Sequence, residues 1–195
     1  MEIYEIILDD ETQGVEAISL VENPAIEENF IALNSQVENV MLSIDDEKRV
    51  VIGAILIPEK LIYRRDGDRE YNIYFSAETI RKTAEKYMHD KNTSNATYEH
   101  QEMISDVHMM ESWLVEDETY DKTRKYGLNV PVGSWVGTMK INNDEMWSKI
   151  KSGELKGYSI EGRFANMLVQ QSKQENEWES ALNELRNAIK SALWQ

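Results

Sequence analysis

An α+β fold, rich in short strands with a few helices beside them, is what this sequence predicts, on three observations. Several short runs are dense in β-branched and aromatic residues and are closed by turn formers. Two later segments place a capping side chain ahead of apolar residues at helical spacing. The last stretch repeats Trp178, Leu182, Leu185, Ile189 and Leu193 on a charged background, the pattern of an amphipathic helix.

The elements follow in order. EIYEIIL at 2–8, VEAISLV at 15–21 and NFIAL at 29–33 are strand-like in length and composition. Asn23-Pro24 ends the second run, because proline removes a ladder donor and drives its predecessor out of the α region. Residues 1–46 thus form a set of N-terminal strands with a polar connection, and the pattern leaves open whether they join the core that follows. That core spans 47–165. It starts with RVVIGAILIP, apolar on both faces, as for a strand buried on two sides. YNIYFS at 71–76 is another strand, and Ser76 caps a helix over Ala77 to Met88 with Ile80, Ala84 and Tyr87 on one side. DKNTSN at 90–95 is a loop, ATYEH at 96–100 an extended piece, and SDVHMMESWLVED at 105–117 a longer one. The period of two puts Val107, Met109, Trp113 and Val115 on one face, with Glu111 among them. SWVGTMKI at 134–141 is a strand, and Asn143 caps a short helix that stops at Gly153. KGYSIEGRF at 156–164 follows. Residues 166–195 are a polar linker and the amphipathic helix, whose stripe can pack on its own domain or join another copy or a scaffold.

With 195 residues, 41% of them hydrophobic and 29% charged, the chain can bury one sizeable core without staples. It has no cysteine, which excludes disulfides, thiolate metal sites and a cysteine nucleophile. Thirty-six acidic against 21 basic residues give a formal charge of −15, which argues against nucleic acid and anionic membrane as partners. No apolar run reaches the length that spans a bilayer, and the start MEIYEIILDDETQG lacks the look of a leader, so a soluble intracellular protein is expected.

The three histidines bound the chemistry, since metal-free hydrolysis near neutrality usually takes its base from imidazole. His89 sits at a helix end beside Asp90, where a cation suits the helix dipole. His100 ends an extended piece next to a loop, where reactive side chains are often presented, and position favours it over His108, which lies inside a strand. No HExxH or comparable ligand spacing occurs, so neither a metal nor a cofactor is expected. Ser159 lies in GYSIEG between Gly157 and Gly162, where small residues admit another backbone or a substrate. On residues alone, a structural serine and a nucleophile both fit that setting.

The blocks RVVIGAILIPEKLIYRRD, IYFSAETIRKTAEKYMHD, NATYEHQ, ISDVHMMESWLVED and YGLNVPVGSWVGTMKINNDEMWSKIKSGELKGYSIEGRF resemble the XkdF-type phage serine proteases, nearly continuously from Lys48 to Phe164. That group is similar to the prohead proteases of tailed phages, whose fold resembles the herpesvirus assemblin, a mostly antiparallel β-barrel surrounded by helices. The resemblance implies a prohead-maturation serine endopeptidase with Ser159 as nucleophile and His100 as base. It implies phage scaffold and major capsid proteins as substrates, within the assembling prohead in the host cytoplasm. Self-cleavage in the linker at 170–177 and homo-oligomers through the C-terminal helix are further expectations. The alternative is a noncatalytic capsid-assembly or scaffold component that keeps a protease-like domain.

The third member departs from the pattern. Related proteases carry an acidic strand after the serine, whereas here a similar phrase, VEAISLVENP at 15–24, stands near the N-terminus. A circular permutation would make Glu16 the acid and residues 1–46 a displaced part of the barrel. Glu111, an acid on an apolar strand face, is the second choice.

Overall fold

The computed structural model describes residues 1–27, 31–32 and 48–168. In chain order the strands are β1 (Glu2–Ile7), β2 (Gly14–Val21), β3 (Ile31–Ala32), β4 (Val50–Leu56), β5 (Ile62–Asp66) and β6 (Arg69–Phe75). After helix α1 (Ala77–His89) come β7 (Ala96–Tyr98), β8 (Glu102–Met103), β9 (Val107–Leu114) and β10 (Trp135–Ile141). Helix α2 (Asp144–Lys151) leads to β11 (Gly157–Arg163) and β12 (Ala165–Leu168).

The strands form three four-stranded sheets with orders β12-β1-β6-β5, β3-β4-β10-β9 and β11-β2-β7-β8. Pairings are antiparallel except β1 with β6 and β2 with β7. The α+β class therefore stands, but the expected barrel does not, since no closed barrel occurs among the described residues. Closure needs every strand paired on both sides. Here two-residue strands, β3 and β8, end two of the sheets.

The two-sided burial read from RVVIGAILIP is observed: every residue of β4 is buried. Around it Ile18, Leu20, Ile80, Trp135 and Met139 are fully enclosed, each such side chain stabilising by roughly 1.5–3 kcal/mol. Ser76 Oγ accepts the Thr79 N–H at 3.4 Å, and α1 buries Ile80, Ala84 and Tyr87. Tyr87 meets Trp135 edge-on at 5.3 Å, tying α1 to β10. Asn143 Oδ1 accepts the Met146 N–H at 3.1 Å, and α2 ends at Ser152, with Gly153 next at a φ of 76°.

Three places differ from the pattern read along the chain. The run before YNIYFS is itself a strand, β5, joined to β6 by Gly67-Asp68, with Gly67 at a φ of 59°. Residues 166–168, expected as the start of the linker, join Ala165 in β12 and pair with β1. In β9, Glu111 lies opposite Thr138 but Met109 opposite Met139, so Met110 is the extra residue of a bulge. That bulge breaks the period of two and turns Glu111 off the Val107–Met109 face. The amphipathic helix and the linker at 170–177 lie outside the described residues.

Candidate active site

β2 runs between β11 and β7 and sets Ser159, Ser19 and Thr97 side by side across the sheet. Directly opposed residues share a face, so three hydroxyl side chains form one row. Two residues further along β11, the alternation of the strand returns Glu161 to the face of Ser159.

His100 reaches this face from the turn after β7. Glu99 and His100 both have positive φ, 48° and 59°, and the Gln101 N–H closes the turn on the Tyr98 carbonyl at 2.9 Å. Left-handed backbone costs a non-glycine residue on the order of 1–2 kcal/mol, so neighbouring structure must hold the turn. It does so at three points on β2 and its exit. The Glu99 N–H donates to the Leu20 carbonyl at 3.2 Å, and the Glu22 N–H donates to the Glu99 carboxylate at 2.6 Å. The His100 N–H donates to Ser19 Oγ at 3.0 Å, and the Ser19 hydroxyl, fully buried, donates to the Thr97 carbonyl at 3.4 Å.

So anchored, the imidazole sets Nδ1 3.2 Å from Glu161 Oε1. The same carboxylate oxygen accepts the Thr97 hydroxyl. With Nδ1 turned to the acid, Nε2 is left to accept a proton from a hydroxyl. Ser159 and Glu161 are separated by two strand residues, roughly 6.5–7 Å, a distance that an imidazole with a hydrogen bond on each side can bridge. The Ser159 side chain is half-buried and its hydroxyl makes no hydrogen bond among the described residues.

The acid at His100 is therefore Glu161, and the structure brings neither expected carboxylate there. Glu16 is the extra residue of a second bulge, between the Ala17–Glu161 and Val15–Gly162 pairs, and its carboxylate holds Arg163 at 2.9 Å. Gly162 is what permits that bulge: a Cβ there would lie 1.9 Å from the Gly14 carbonyl oxygen. Glu111 binds Lys122 at 2.9 Å and accepts the Thr138 hydroxyl at 3.1 Å. The Lys122 ammonium, whose hydrogen bond is the main cause, and the Thr138 hydroxyl hold the Glu111 carboxyl below its ordinary range. Of the other histidines, His89 contacts Asp90 at 3.0 Å at the end of α1, and His108 lies in β9 opposite Lys140. Sequence reasoning passed over Glu161 although it stands in GYSIEG; its spacing of two from Ser159 was the available signal. Among the described residues no group of three metal-ligating side chains occurs.

The imidazole–carboxylate pair of His100 and Glu161, two residues along β11 from Ser159, offers the kinds of group that serine hydrolases use. The family model "Putative phage serine protease XkdF" matches residues 36–168, and the chain belongs to that family. It is also similar to "Uncharacterized protein YqbD" of Bacillus subtilis (strain 168), at 23% identity over 180 residues, covering 87% of this chain and 52% of that protein. The chain thus spans about half the length of this curated relative. No solved structure matches. Among the described residues no helix is long and apolar enough to cross a membrane.

Proposed function

We propose that the chain is a serine endopeptidase in which Ser159 is the nucleophile, His100 the base and Glu161 the residue that positions His100. The observation that carries this reading is the 3.2 Å approach of His100 Nδ1 to Glu161, two residues from Ser159 on the same strand. Nε2 takes the Ser159 proton as Oγ attacks a peptide carbonyl, and the imidazolium then protonates the leaving amine. Water, deprotonated by the same nitrogen, releases the acyl group and restores the serine. Glu161 favours the tautomer with the proton on Nδ1 and stabilises the imidazolium, while Thr97 holds the carboxylate in place.

Membership in a phage protease family supports assembly proteins of the phage as substrates, namely scaffold and major capsid proteins cut in the prohead. The test is co-expression of those proteins with the wild-type chain or Ser159→Ala, followed by intact mass. Shortened products that vanish with Ser159→Ala are expected. The same products from both chains would leave Ser159 without a proteolytic role.

A further inference from the structure

β11 ends its sheet, and among the described residues no strand pairs with its outer edge. Such an edge presents unpaired N–H and C=O groups that can take up an extended peptide as an added strand. A cleft of about 280 Å³ lies there. Tyr158, Ser159 and Ile160 all line it. The rest of its lining includes Ile6, Ile62, Ile73 and Phe75 of the first sheet, with Arg64, and Ile55 and Leu56 of β4. The volume suits one or two side chains and falls short of a typical small-molecule pocket.

Arg64 is the unusual member. It is half-buried, and among the described residues its guanidinium makes one hydrogen bond, to the Tyr63 carbonyl at 3.1 Å. Among the described residues it meets no carboxylate, although the chain carries 36 acidic residues and Arg49, Arg69, Arg81 and Arg163 each hold one. Burial disfavours its charged form, and an arriving carboxylate would offset that penalty through charge-assisted hydrogen bonds.

We propose that this cleft is the substrate groove: an extended peptide lies along β11 on the side where no described strand pairs with it, seats an apolar side chain against Ile73 and Phe75, and sets a nearby acidic side chain on Arg64. The inference rests on the protease reading, and binding and cleavage separate the two. The probe is a set of labelled octapeptide pools with leucine fixed centrally and glutamate, glutamine or lysine fixed within two positions of it. Binding is measured by fluorescence anisotropy on full-length Ser159→Ala, which cannot turn the peptides over. Glutamate pools should bind at least about tenfold more tightly than lysine pools, and adding Arg64→Glu should reverse that order. A ratio taken within one variant is independent of the fraction folded, and Arg64→Gln, expected to abolish the preference, repeats the test with a milder change. Equal binding of the pools, or a preference that survives both Arg64 variants, overturns the groove. Absence of cleavage by the wild-type chain, with the binding preference intact, overturns the protease reading alone.

Discussion

Replacing Glu161 with glutamine keeps the shape of the side chain and an oxygen for Thr97 while removing the charge beside His100. In a water-excluded triad the loss of that carboxylate costs about 10⁴ in turnover. Here the Glu161 side chain is 30% exposed and that of His100 42% exposed, so water can partly replace the lost charge. The expected loss in kcat is therefore smaller, about 10²–10³, or roughly 3–4 kcal/mol of transition-state stabilisation. KM should stay within about threefold, because the carboxylate acts through His100 and not on the peptide. The assay is the initial rate of cleavage of purified scaffold protein, followed by intact mass across a range of substrate concentrations. Glu161→Asp is the companion variant: it keeps the charge and should recover part of the rate. If Glu161→Gln retains wild-type kcat while Glu16→Gln or Glu111→Gln loses a hundredfold, Glu161 is not the positioning residue and the geometry has been misread.

Ser19→Ala removes the acceptor of the His100 N–H from a fully buried position, and should cost about 1–2 kcal/mol in urea unfolding together with a loss of turnover. Gly162→Ala forces a Cβ against the Gly14 carbonyl; about 3 kcal/mol of overpacking should lower Tm by roughly 6–12 °C in calorimetry. Ser76→Ala, which removes the α1 cap, should cost about 1 kcal/mol and leave turnover unchanged. Glu111 has a folded pKa below its unfolded value, so its contribution is complete above the ordinary glutamate pKa and is lost as pH falls through the depressed one. Glu111→Gln should then lower stability by a few tenths of a kcal/mol at pH 7, the pair being largely exposed, and by progressively less as pH falls below the ordinary glutamate range.

What could be read from the chain was local. Ser76 and Asn143 announce their helices because a cap is decided within four residues, and β4 announces itself because burial on both faces leaves an unbroken apolar run. Glu111 was misplaced because a bulge is a property of two strands and leaves no mark in one. β12 was hidden for a similar reason: ANML gains strand character only by pairing with β1, far away in sequence. Ser159 and His100 as proposed nucleophile and base rest on family resemblance, on motifs that are contiguous. The acid required knowing that the turn at Glu99-His100 folds over β11, and that depends on Ser19 and Leu20 at the other end of the chain.

The sheet order β11-β2-β7-β8 also bears on when activity can arise. β2, β7 and β8 are all synthesised before β11, which bears both Ser159 and Glu161 and leaves the ribosome after every other element of that sheet. At about 5–20 residues per second, the histidine turn can dock on β2 seconds before β11 is translated. A chain halted anywhere before Gly157 holds His100 with neither Ser159 nor Glu161 beside it. The order of segments along the chain thus delays assembly of the proposed centre until the last strand of its sheet has been translated.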